Sequence, residues 1–156
     1  MKNNFGNNLP IINLHKYKSL NSEVDTQLIY GDNFKIIKKY SGWSKIRVKK
    51  DGYIGYIQNK KFQEPISPNF KVCVLKARLF SKPNIKKKLK KYLSYNSRVR
   101  LIGKKGRFGK FERYWIKISD LKKINFKNKD IFKNIKFFKN TKYLWGGKSY
   151  KGIDCS

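Results

Sequence analysis

Histidine is almost absent from this chain: there is one, His15, in 156 residues. A lone imidazole without a partner at ligand spacing offers no metal centre, and neither a metal nor a cofactor is expected. Cysteine occurs twice, as Cys73 and Cys155. Two cysteines do not make a disulfide framework, and no secretion signal places them in an oxidising space. Cys73 stands between Val72 and Val74 in an apolar run and reads as a buried small hydrophobe. No apolar run approaches the roughly 20 residues that span a bilayer, so no membrane span is expected. Met1 to Pro10 is rich in asparagine and has no apolar h-region. It reads as a frayed polar tail over residues 1–12 rather than a secretory leader, which points to a cytoplasmic location.

Acidic residues are also few. Nine stand against 39 lysines and arginines, giving a formal net charge of +30 and a pI near 10.2. Two explanations stay open. One is a polyanionic partner: nucleic acid, anionic lipid or an anionic wall polymer. The other is codon drift, because Lys, Asn, Ile, Phe and Tyr are abundant together while Ala and Arg are scarce. A nucleic-acid specialist would use more arginine, which contacts phosphate and guanine bidentately. Non-specific polyanion binding at low salt follows from either. The chain is 39% apolar and 15% aromatic, enough for packed cores despite the charge. Its length suits one domain or two small ones.

A faint internal repeat organises the middle. In the first copy, residues 13–63, Asp32–Ile37 reads as a strand and Ser41-Gly42-Trp43 as a turn. Ile46 and Val48 then alternate with Lys45, Arg47 and Lys49, the period of a half-buried strand. Asp51-Gly52 is a hairpin signal, Tyr53–Ile57 the return strand, and Gly55 a point where another backbone can come close. Glu64–Pro68 holds two prolines and breaks the pattern, giving a linker over 64–69. In the second copy, residues 70–124, Cys73–Leu75 opens and Ser81–Asn84 turns. Arg98–Ile102 is a strand, Gly103–Gly106 a turn, Arg107–Phe111 a strand and Tyr114–Ile118 the return. The Lys86–Lys91 run reads as a solvated loop. Short strands at regular spacing with glycine turns indicate small all-β barrels. Trp43, Trp115 and Tyr56 are expected in the barrel core or at its rim.

Both copies resemble bacterial SH3-type barrels. Thr26–Ile37 and Ser41–Ile57 carry the resemblance in the first; Leu93–Phe111 and Tyr114–Leu121 carry a more divergent form in the second.

From residue 125 the pattern changes. Ile131, Ile135 and Phe138 fall at i, i+4 and i+7, which predicts a short amphipathic helix over 130–139 with Asp130 as its cap. Then come Tyr143-Leu144-Trp145-Gly146-Gly147, a short spacer, and Gly152-Ile153-Asp154-Cys155-Ser156. This stretch resembles the nucleophile motif of NlpC/P60 cysteine peptidases. With two SH3-type barrels before it, the chain is similar to murein endopeptidases that cut γ-D-glutamyl–diamino-acid bonds. The implied fold is two SH3-like barrels followed, over 125–156, by the first helix and nucleophile segment of an incomplete α+β papain-like domain.

The resemblance implies that Cys155 is the nucleophile and that Tyr143 lines the cleft beside it. It implies that Asp154 and Ser156 help hold the free amino end of a murein peptide, with groups from the first barrel. A thiol attacks as thiolate, and an unperturbed cysteine has a pKa of about 8.5. In the resembled family a helix start and a later histidine lower it; here neither follows Cys155 within the 156 residues, and His15 is a poor substitute. The expectation is an enzyme segment without peptidase activity of its own, with residues 140–156 loose for want of packing partners. The alternatives are a non-catalytic module that binds wall peptides and a basic nucleic-acid-binding protein.

Overall fold

A computed structural model describes residues 3–127 and 135–154. Its described elements are short strands and two 3-10 turns, and the strands form antiparallel sheets. The chain divides into two compact units: the first holds the residues up to Ile66 together with those from Lys142 onward, the second Ser67–Thr141.

In the first unit β1 is Asn4–Gly6, β2 Ile11–His15, β3 Val24–Ile29, β4 Asn33–Lys39, β5 Trp43–Val48 and β6 Ile54–Gln58. They form one curled sheet in the order β1-β4-β5-β6-β2-β3. The period-2 pattern places Phe34, Ile36, Ile46 and Val48 inward, where they meet Leu14, Leu28 and Ile57. Phe5, Ile12 and Phe62 close the core from its margin. Gly55 is required by close approach: a Cβ there would lie 2.8 Å from both the His15 carbonyl oxygen and the Leu14 side chain.

The asparagine-rich start is not a frayed tail from Asn4 onward. β1 pairs with β4, setting Phe5 against Phe34. The fully buried Asn7 holds this segment down. Its side-chain amide donates to the carbonyls of Ile29 (2.9 Å) and Leu28 (3.3 Å), and its Oδ1 accepts from the Leu9 amide (2.9 Å). Its own buried amide is thereby satisfied, as buried polar groups generally are. His15 likewise does not precede the strands; it ends β2, opposite Val24 and Tyr56.

In the second unit β7 is Phe70–Val72, β8 Lys76–Phe80, β9 Lys88–Ser94, β10 Arg98–Val99, β11 Gly103–Lys105, β12 Phe108–Phe111, β13 Tyr114–Lys117 and β14 Leu121–Lys123. One sheet runs β11-β12-β13-β8-β9 and a smaller one β10-β7-β14. Phe80, Leu79, Leu93, Val99, Phe111 and Ile116 are buried.

Several local expectations change here. Lys88 to Lys91 belong to β9 rather than to a loop: β9 is an edge strand, so a lysine-rich sequence can stay solvated while Leu93 turns inward. Gly103–Lys105 is a strand and the turn centres on Gly106, whose φ is +54°. The strand expected over Arg98–Ile102 stops at Val99. Beyond it the Asn69 side chain replaces a ladder partner, accepting from the Leu101 amide (2.8 Å) and donating to the Leu101 carbonyl (3.2 Å). Cys73 is only half-buried, and its Sγ lies 3.8 Å from the Ser119 carbonyl.

The helix expected over 130–139 falls partly outside the described residues, its proposed cap Asp130 included. Within them, Lys136–Phe138 forms a 3-10 turn, and Phe138 meets Tyr95 edge to face at 5.6 Å.

Candidate functional site

The segment expected to be loose folds back onto the first barrel. Lys148–Ser149 (β15) and Gly152–Ile153 (β16) form a two-residue hairpin ladder. The stretch before it closes alongside. The Leu144 amide donates to the Ile153 carbonyl (2.9 Å), the Ile153 amide to Lys142 (3.1 Å) and the Asp154 amide to Gly147 (3.0 Å). Tyr143 bridges to Ile153, so two residues ten apart in sequence lie side by side. Tyr143 and Trp145 leave their rings exposed, whereas Ser149 is buried.

The glycines make this close packing possible. Gly146 has φ +67°, and a Cβ there would run into the Val24 carbonyl oxygen of β3. A Cβ at Gly147 would lie 2.6 Å from the Gly152 carbonyl oxygen.

Polar contacts fix the segment's register on the barrel. The Lys148 amide donates to Gln27 Oε1 (3.2 Å), and Gln27 is itself braced by donating to Asn13 Oδ1 (2.9 Å). The Lys148 ammonium lies 3.6 Å from Asp32 Oδ2 and 3.4 Å from Asp51 Oδ2. Asp32 is buried, and its Oδ2 also accepts from the Ile29 amide (3.0 Å). A buried carboxylate needs such partners to stay charged. Lys148, Gln27, Asp32 and Asn7 were not singled out from the sequence. The only trace of the contact was local: Asp32 lies in the Tyr-Gly-Asp turn and Lys148 directly follows Gly-Gly, with nothing to link them.

Of the site residues expected from sequence, Tyr143 and Asp154 are brought together through Ile153. Cys155 and Ser156 lie outside the described residues. His15 sits in the same unit but is enclosed: its Nδ1 is 3.3 Å from the Ser22 carbonyl oxygen, and its ring meets Trp43 edge-on at 5.5 Å. Among the described residues no group of three or more His, Cys, Asp or Glu could hold a metal ion, and no helix is long and apolar enough to cross a membrane.

Residues 14–62 match the family model of the bacterial dipeptidyl-peptidase SH3 domain. The first barrel is a bacterial SH3 domain. The match runs from Leu14, near the end of β2, to Phe62, and includes β3, against which the Gly-Gly segment is seated. Among solved structures, an NlpC/P60 family protein from Bacillus cereus ATCC 10987 is similar with a TM-score of 0.78 at 18% identity, over 97% of this chain and 68% of that one. At that identity the likeness is one of fold. NlpC2 from Trichomonas vaginalis gives a TM-score of 0.32 at 17% identity, over 91% of this chain and 57% of that one. No curated protein matches.

Proposed function

We propose that this chain is the barrel-bearing portion of a cysteine peptidase that acts on murein peptides at γ-D-glutamyl–diamino-acid bonds. Cys155 is its nucleophile, and Tyr143, Asp154 and Ser156 contact substrate. One observation carries the reading: the Trp-Gly-Gly to Gly-Ile-Asp segment is seated on a bacterial SH3 domain by Lys148, Gln27 and close glycine packing. A nucleophile must be held rigidly for productive attack, and anchoring the residues just before it on a barrel edge does that. The exposed Tyr143 ring, fixed beside Ile153, is free to meet a ligand.

The resembled family uses a histidine base, and the 156 residues hold one imidazole. His15, the one imidazole, is turned to the Ser22 carbonyl and the Trp43 ring. A thiol of ordinary pKa is only a few per cent thiolate at neutral pH, and the leaving amine would find no general acid. By itself this segment therefore binds wall peptide without cutting it.

The test compares two polypeptides on an L-alanyl-γ-D-glutamyl-diaminopimelate peptide, with products read by mass spectrometry. One is the polypeptide isolated from its native source at its own length; the other is the 156-residue chain. If the native polypeptide continues past Ser156, it should release the diamino acid and lose that activity in Cys155→Ala. The 156-residue chain should bind and release nothing. Release that survives Cys155→Ala would overturn the assignment. Failure of either polypeptide to bind the peptide, with salt-resistant binding of nucleic acid instead, would favour a nucleic-acid-binding role.

A further inference from the structure

A second site lies wholly within the second unit, on residues the peptidase reading does not use. A half-open cleft of about 840 Å³ forms where three pieces of chain meet: the turn after β8, the β11–β12 hairpin tip and the end of β13. Its volume falls within the range of small-molecule pockets, roughly 300–1,000 Å³. Ile85, Phe108 and Ile118 supply apolar walls, and Lys105, Arg107 and Lys117 supply three cations. No acidic side chain lines it.

The walls are held in place by the fold. Phe108 is buried and stacks edge to face on Phe80 at 5.1 Å. The Ile118 amide donates to the Arg107 carbonyl (2.9 Å), tying the hairpin tip to the end of β13. The turn carrying Ile85 is closed by the Ser81 amide donating to Lys87 (3.0 Å) and by Asn84 Oδ1 accepting from the Lys86 amide (2.8 Å). Ile85 nonetheless remains 60% exposed, an apolar surface with little cover of its own.

Several cations elsewhere in this unit lie against aromatic rings or a hydroxyl. Lys76 and Arg78 lie over Tyr92 at 4.0 and 4.6 Å, and Lys91 donates to the Tyr114 hydroxyl at 3.0 Å. Lys105, Arg107 and Lys117 make no ion pair or ring contact among the described residues; Asp120 lies near enough to Lys117 to feel its charge. An apolar wall and three cations lining one cleft match a ligand with a dianionic head and an apolar body. The planar fork of arginine suits a phosphate group, and two lysines complete its charge.

We propose that this cleft binds organic phosphate monoesters, with Lys105, Arg107 and Lys117 on the phosphate and Ile85, Phe108 and Ile118 against the organic part. The inference is independent of the peptidase reading. It is tested by two-dimensional amide NMR of the 156-residue chain, titrated at constant ionic strength with phenyl phosphate, inorganic phosphate and benzoate. Phenyl phosphate should give saturable shifts centred on residues 83–85, 105–108 and 117–119, with a dissociation constant below about 1 mM. It should bind several-fold more tightly than inorganic phosphate, which lacks the apolar part, or benzoate, which has a single charge.

Arg107→Ala and Lys117→Ala, both at exposed positions, should each weaken phenyl phosphate by about 10-fold while leaving the spectrum folded. Lys91→Ala, a cation outside the cleft, should not. Shifts that never saturate, that spread over all lysine-rich surfaces, or that respond to Lys91→Ala as much as to Arg107→Ala would overturn the proposal. So would equal affinity for all three probes.

Discussion

The Lys148 ammonium lies 3.6 Å from Asp32 Oδ2, joining two residues 116 positions apart in sequence, and the Asp32 side chain is only 4% exposed. This pair, with Asp51 beside it, couples the SH3 domain to the segment that leads to Cys155. Removing the ammonium takes the cation away from a buried carboxylate that, among the described residues, also accepts from the Ile29 amide. Lys148→Met should therefore unseat the segment at a cost of about 2–4 kcal/mol. Hydrogen exchange is the direct readout: the Leu144 and Ile153 amides, hydrogen-bonded in the seated form, should lose protection while β4 and β5 keep theirs. Adding Asp32→Asn should recover part of the loss, because the stranded charge is then gone. Unchanged protection in Lys148→Met would mean that glycine packing alone seats the segment.

Asn7 is the second anchor, within the first unit. Asn7→Ala removes three hydrogen bonds, two to the Leu28 and Ile29 carbonyls and one from the Leu9 amide, in a place where Asn7 itself is fully buried. The expected loss is about 2–3 kcal/mol, seen as a lower urea midpoint for the first unit. Asn7→Asp should be about as damaging, since a carboxylate cannot donate to the Leu28 and Ile29 carbonyls.

In the second unit, burial works against ionisation of the Tyr114 hydroxyl. Lys91 and Arg113, by hydrogen bonding and charge, outweigh it and bring the hydroxyl below the usual phenol range. Ultraviolet titration should show one tyrosine ionising ahead of the rest. Lys91→Ala should move that transition upward. If the first transition stays where it was, another tyrosine is responsible for it.

Asp120 is shifted the other way. Burial raises its pKa, and the Ser119 hydroxyl and Lys117 only partly offset this. A folded-state pKa above the unfolded one means that the group's contribution is fully present below the unfolded value, about pH 4, and lost as pH rises through the folded one. Asp120→Asn should thus make the second unit more stable at neutral pH and flatten its stability between mildly acidic and neutral conditions. Thermal melts across that range provide the check, and an unaltered pH profile in the variant would contradict the assignment.

Much of the barrel architecture was legible in the chain itself. The alternation around Ile46 and Val48, the Asp51-Gly52 turn and the crowding at Gly55 depend on neighbours in sequence or on a period of two, and these are local signals. The charge run through Lys88 misled for a related reason: local composition cannot say whether a strand lies at a sheet edge, where lysines cost nothing. The Trp-Gly-Gly and Gly-Ile-Asp motifs were legible as well, because each is a short run of fixed residue types.

What only the tertiary structure decided was where the motif segment rests. Sequence separation hid the meeting of Lys148 with Asp32 and Asp51, of Gly146 with Val24, and of Asn7 with Leu28 and Ile29. Each of these contacts joins a residue that is unremarkable in its own neighbourhood to one brought near it by the closure of the barrel. A charged or polar side chain carries no periodic signature of its partner. Its energy depends on burial and distance, and both exist only once the sheet has curled and the chain has returned to it.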